Sequence, residues 1–205
     1  MSGTFPTTGF TALDLQSNST SKLSESVSGK TQRLKSGGQY WSFSLKSPPL
    51  ERSEFNSIFS FIVQQDGRVE AFTVIPPVIS DATGTASGTI TVADVDSVDP
   101  LMTVSAGTTS VGIDGVATGT LKTGDLIKFS NHSKVYMITA DVNLDGSTVN
   151  QLSFHPPLVE SVVGGVTTVI YDGVPFRVFL EKDEIGYTLQ TDGYYRYEVK
   201  VREEI

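Results

Sequence analysis

One stretch of the chain, Ser47 to Pro77 (SPPLERSEFNSIFSFIVQQDGRVEAFTVIPP), carries a convincing apolar pattern of helical period, and it limits what the remainder can be. Phe55, Ile58, Phe59 and Ile62 recur at i, i+3, i+4 and i+7, with Asn56, Ser57, Ser60 and Gln64 on the opposite side. That spacing predicts an amphipathic helix of roughly four turns. Pro48 and Pro49 cannot sit in a helix interior and so precede it, while Glu51 and Glu54 complement the positive end of its dipole. The helix is expected at about residues 51–65, closed by Asp66-Gly67. Arg68 to Ile75 then alternates, with Val69, Ala71, Thr73 and Ile75 on one face and Glu70, Phe72 and Val74 on the other, as a returning strand would. A helix packed on a sheet follows.

The rest has β character. Nineteen glycines, nine prolines and abundant Thr, Val and Ser disfavour further helices. Asp-Gly pairs at Asp66, Asp114, Asp145, Asp172 and Asp192 are tight-turn signals, four of them between expected strands, which predicts an antiparallel meander. At 205 residues the chain can form one well-buried domain, or one domain carrying a small insertion.

Charge and composition exclude several classes. A formal net charge of −8 is unsuited to general nucleic-acid binding, which needs a surplus of cations on the contact surface. With no cysteine there is no disulfide, thiolate zinc site or cysteine nucleophile. No apolar run approaches the roughly 20 residues that cross a bilayer, and MSGTFPTTGF lacks the basic and apolar segments of a signal peptide. The sequons at Asn18 and Asn131 therefore carry little weight.

Along the chain, residues 1 to 9 are expected to form an extended arm, ordered where it docks. Phe10 to Val27 alternates weakly, as an edge or interface strand does. Gly29 to Gly38 (GKTQRLKSGG) is the one locally basic segment, with Lys30, Arg33 and Lys35 flanked by glycines. Three readings stand: a solvated hairpin loop, a loop whose cations meet the acidic surface of a neighbouring subunit, or a loop facing a DNA channel. Gln39 to Leu45 predicts a strand with Trp41 in the core.

After Pro77 the composition shifts, and residues 80–163 are expected to form a module inserted into a domain made of 1–79 and 164–205. Within it Thr89 to Val92 and Met102 to Val104 are expected strands, Asp94 to Pro100 an acidic turn, and Asp114 to Thr123 a loop or one turn of helix. Leu126 to Phe129, Lys134 to Thr139 and Leu152 to Leu158 are its anchoring strands. A Gly-Asp turn before an apolar strand is common in small SH3-like or OB-like barrels. From Val166 the alternation is dense again, through Val174 to Leu180 and Tyr194 to Val201, and these strands are expected to complete the first sheet.

No catalytic constellation is present in the sequence. His132 and His155 stand apart from other ligand types at metal spacing, and there is no nucleophile elbow, phosphate-binding glycine loop or zinc helix. Asp183 and Glu184 flank an expected hairpin. Asp141, Asn143 and Asp145 with Gly146 match the first half of a calcium loop, but position 12 is Leu152 where a bidentate Glu belongs. A hairpin turn is the preferred reading; a cation site there would use those three residues. No enzyme activity and no cofactor are expected.

Trp41, the Pro48-Pro49-Leu50 turn, Arg52 to Phe55, the Gln65-Asp66-Gly67-Arg68 turn and Pro76-Pro77, with the Gly124-Asp125, Lys134-Val135-Tyr136 and Pro156-Pro157-Leu158 strands, resemble a family of tailed-bacteriophage distal-tail, tail-tube-like or minor tail proteins. The resemblance implies a mainly β fold, a β-sandwich with one packed helix and an inserted small β-barrel. It also implies a non-enzymatic virion component, assembled in the host cytoplasm as a homo-oligomeric ring, hexameric in this family, at the distal tail or baseplate hub. Its partners would be further copies of itself and other tail proteins of the tube, hub and tip, with no membrane or sequence-specific nucleic acid, although DNA can pass through such a ring. The alternative is a β-rich binding module presenting loops to carbohydrate or to a receptor-binding protein.

Overall fold

The computed structural model of the chain describes residues 3–6, 12–94 and 102–205. Its first elements are β1 (Ala12–Leu13), β2 (Gln16–Glu25), β3 (Thr31–Lys46), α1 (Arg52–Val63) and β4 (Phe72–Val74). The middle of the chain forms β5 (Ile90–Val92), β6 (Thr103–Val104), β7 (Ser110–Gly115), β8 (Thr118–Leu121), β9 (Leu126–Phe129) and β10 (Val135–Ile138). Then come β11 (Val142–Asp145), β12 (Asn150–His155), β13 (Val162–Val163), β14 (Thr168–Ile170), β15 (Phe176–Leu180), β16 (Tyr187–Leu189) and β17 (Tyr195–Glu203). The fold is mainly β, with one helix among the described residues.

The chain divides into two compact units. One holds residues 8–71 and 178–205, the other 3–7 and 72–177. In the first, the sheet runs antiparallel through β1, β3, β17 and β15, with β2 on β3 and β16 on β17. Strict alternation along β17 buries Tyr197, Val199 and Val201 and exposes Arg196, Glu198 and Lys200. Trp41, Phe43 and Leu45 of β3 are buried as expected. The α1 helix turns Phe55, Ile58 and Ile62 inward, and Phe55 stacks on Tyr195 of β17 at 4.6 Å. Glu54 occupies its first turn.

Arg68 to Ile75 is not one strand. Asp66 and Gly67 both take left-handed φ angles, of 52° and 64°, and a turn occupies the residues after the helix, so Val69 is exposed and pairing is confined to Phe72–Val74. The extended arm, where described, docks on its own chain. Thr4 makes a parallel bridge to Thr73, Phe5 N–H donates to Thr73 O at 2.7 Å, and the Phe5 ring is buried near Phe72.

In the second unit six strands close a barrel in the order β10-β12-β7-β5-β14-β9. Its core gathers Ile90, Ile113, Ile127, Phe129, Tyr136, Leu152 and Phe154, all essentially inaccessible to solvent. The three anchoring strands lie where the sequence placed them. Asp114 to Thr123, expected as a loop or helical turn, instead contains the end of β7 and all of β8. Glycines hid these strands and also make them possible. Gly119 has φ near 98°, and a side chain there would strike the Thr85 carbonyl. Thr168–Ile170, expected in the first sheet, pairs instead with β5 and β9 and closes the barrel. The expected acidic turn at Asp94 to Pro100 lies outside the described residues beyond Asp94 itself.

Candidate interaction surfaces

The basic segment is not a loop. Its loop is confined to Ser26–Lys30, where Ser26 and Lys30 bond reciprocally through their backbones and the Ser26 hydroxyl, and Gly29 supplies the left-handed turn position. From there Thr31 onward pairs back on β2, with Glu25 opposite Thr31, Leu23 opposite Arg33 and Ser21 opposite Lys35. Arg33 and Lys35 therefore share one face of a two-stranded ribbon with Leu23, while Lys30 caps its tip. Beyond Gln39 every ribbon residue of β3 is exposed, as is every residue of β2 from Ser19. At roughly 3.4 Å per residue the ribbon extends about 20 Å past that point.

The ribbon's chemistry is unusual for a solvated hairpin. Leu23 is 67% exposed, Leu34 65% and Val27 fully so. Lys22, Lys30, Arg33 and Lys35 are balanced by Glu25 alone, in a chain whose net charge is −8. A two-stranded ribbon with no buried face is marginal in water by itself. At its base Asn18 donates to the Ser42 hydroxyl at 2.7 Å and Gln39 to the Ser17 hydroxyl at 3.0 Å, while Gln39 Oε1 is buried without a partner.

Asp141, Asn143 and Asp145 do not converge. Asn143 and Asp145 lie on the exposed face of an extended strand, β11, whose alternate residues Val142 and Leu144 are buried, and Asp141 immediately precedes it. The two carboxylates are thus about 13 Å apart along the strand, too far to share an ion whose oxygen ligands sit at about 2.5 Å. Each is also engaged elsewhere. Asp141 accepts from Lys122 Nζ at 2.8 Å and from the Thr123 backbone and hydroxyl, which hold its carboxyl at about 2. Asp145 accepts from the Thr148 hydroxyl and from the backbone N–H groups of Ser147 and Thr148, and is likewise depressed to about 2.

The barrel satisfies its polar groups internally. Buried Asp125 accepts from Thr83 N and Oγ1 and from Lys122 N, tying residue 83 to the turn before β9. His132 lies in the turn between β9 and β10 and is half-buried. Val159 N–H donates to Tyr136 Oη at 3.1 Å, Tyr136 and His132 Nε2 lie 2.7 Å apart, and His132 Nδ1 is 2.8 Å from Asn131 Oδ1. Asn131 Nδ2 then donates to Ser161 O. All these bonds are satisfied together by a neutral imidazole protonated at Nδ1. Burial lowers the His132 pKa; Glu160 opposes that shift, and Lys128 and Lys134 reinforce it. His155 lies apart, before a cis bond to Pro156.

A further surface escaped the sequence reading. Phe55, Phe59, Tyr187 and Tyr195, distant in sequence, form one ring cluster with centroids 4.6–5.8 Å apart in the first unit. Tyr187 and Leu189 on β16 are each more than half exposed. The alternating Tyr187 and Leu189 on so short a strand were the only local signal.

Residues 96–172 match the family model described as the distal tail protein pb9, B domain. Over 195 residues, 93% of this chain and 89% of the relative, the sequence is 29% identical to distal tail protein pb9 of Escherichia phage T5. The matched segment spans most of the barrel, and the longer match reaches across both units. Among the described residues no helix is long and apolar enough to cross a membrane. The chain is thus similar, over most of its length, to the distal tail protein of a tailed bacteriophage, and in its barrel-bearing segment to that protein's B domain.

Proposed function

We propose that the chain works as a homo-oligomeric ring at the distal end of the tail or baseplate hub, joining the tail tube to tip or receptor-binding components through surface contacts alone. The observation that carries this reading is the β2–β3 ribbon: exposed on both faces, bearing Leu23, Leu34 and Val27, and cationic on an acidic protein. Such an element gains stability by laying itself on an acidic surface, and copies of the same chain provide one. Repeated head to tail, that contact closes into a ring, hexameric in this reading, with an axial channel that DNA can traverse. In this reading the barrel-bearing segment is an insertion carried by the ring-forming unit, and the remaining surface meets the tube, hub and tip proteins.

Immunogold labelling of virions with antibody against the chain tests the position. Label at the end of the tail away from the head is the expected result. Label along the whole tube, or at the neck, would overturn the distal placement.

A further inference from the structure

The relay around His132 ties a segment with no regular structure of its own to the barrel, and ring assembly through the ribbon leaves it without a role. Residues 156–161 join β12 to β13 without helix or strand. The relay grips this segment at two points. Val159 N–H donates to Tyr136 Oη at 3.1 Å, and Ser161 O accepts from Asn131 Nδ2 at 2.9 Å. His132 stands between them, 2.7 Å from Tyr136 Oη and 2.8 Å from Asn131 Oδ1. Donation runs from Val159 N–H to the Tyr136 hydroxyl and from that hydroxyl into His132 Nε2, while His132 Nδ1–H donates to Asn131, whose amide reaches Ser161. Only the neutral imidazole completes that path.

A proton added at Nε2 turns an acceptor into a donor. The Tyr136 hydroxyl then loses His132 as the acceptor of its hydrogen, inside a side chain that is fully buried. The neighbouring charges act in the same sense. Lys128 of β9 and Lys134, next to β10, disfavour an imidazolium where the ring lies, and Glu160, on the gripped segment itself, attracts it. Val159 and Glu160 are already exposed, so water can take over the freed N–H, while buried Leu158 and Val162 anchor the segment on either side. We propose that His132 is a proton-operated latch on residues 159–161: uncharged, it holds them to the barrel through Tyr136 and Asn131; protonated, it gives up Tyr136, turns toward Glu160 and frees them. The latch is independent of ring formation.

Hydrogen–deuterium exchange of the full chain, corrected for the intrinsic pH dependence of exchange and read by mass spectrometry, tests it on peptides covering residues 156–163 and β12. Burial holds the His132 pKa below its ordinary 6.5, so opening takes up a proton and is favoured by up to about tenfold per pH unit as pH falls from 6.5 toward the folded value. Between about pH 7.5 and 5 the protection of 156–163 should fall about tenfold, while staying below that of β12 throughout. His132→Gln should abolish the step, and Glu160→Gln, on an exposed side chain, should move it to lower pH. Protection that does not change with pH in the native chain would overturn the latch, as would a step that persists in His132→Gln or stays in place in Glu160→Gln. Equal protection of 156–163 and β12 at both pH values would mean that the whole barrel opens together, and the assignment fails.

Discussion

The barrel and the β2–β3 ribbon are both antiparallel β-structure, yet they handle exposed strand edges in opposite ways. The barrel closes on itself, so each of its six strands has two neighbours and Phe129, Tyr136 and Phe154 meet edge-to-face at its centre. The ribbon leaves both faces in water and pairs each strand on one side only. One region spends its side chains on its own core; the other keeps them for contacts elsewhere. Stability is therefore expected to reside in the barrel and assembly in the ribbon, and mutations should separate the two.

The largest effect is expected in the barrel core. Phe129→Ala removes three ring contacts from a fully buried site and should cost about 3–5 kcal/mol in urea unfolding followed by circular dichroism. If the loss stays below about 1 kcal/mol, the barrel is not the close-packed body described. A smaller effect is expected at Tyr136→Phe, which strips the hydroxyl from between His132 and Val159 N and should cost about 1–3 kcal/mol.

The same relay gives the barrel a pH dependence. The folded pKa of His132 lies below its ordinary 6.5, so the unfolded chain binds the proton more readily. Its stabilising contribution is complete above pH 6.5 and is lost as pH falls from there through the folded value. Melting temperature should decline in that window for the native chain and less for His132→Gln. A separate decline is expected between about pH 4 and 2, as Asp141 and Asp145 lose their turn-holding charge. The smallest effect on stability belongs to the ribbon. Lys30→Ser, Arg33→Ser and Lys35→Ser together should shift unfolding by no more than about 0.5 kcal/mol, while weakening self-association.

What could be read from the sequence follows from how each element is stabilised. The α1 helix and β17 were legible because each buries one face, so Phe55, Ile58 and Ile62, or Tyr197, Val199 and Val201, mark the period. The ribbon buries neither face, so its first strand shows only the weak alternation of Phe10 to Val27 and its second is marked chiefly by its cations. Strands β7 and β8 were masked by glycines, and β11 by a resemblance to a calcium loop, although Val142 and Leu144 alternate with the three polar residues. The alternation at Thr168–Ile170 marks a strand but not its sheet, because alternation fixes which face is buried and not which partner is paired. The aromatic cluster draws Phe55, Phe59, Tyr187 and Tyr195 from three elements, a juxtaposition that only the fold creates.

Light-scattering chromatography of the purified chain, native and with the three ribbon cations replaced by serine, in low and high salt, tests the division of labour most directly. The native chain in low salt should run near six times its 22.0 kDa monomer mass, and both high salt and the triple substitution should reduce that mass. A native chain that stays monomeric in both salts, or a triple variant that assembles as the native chain does, would contradict assembly through the ribbon.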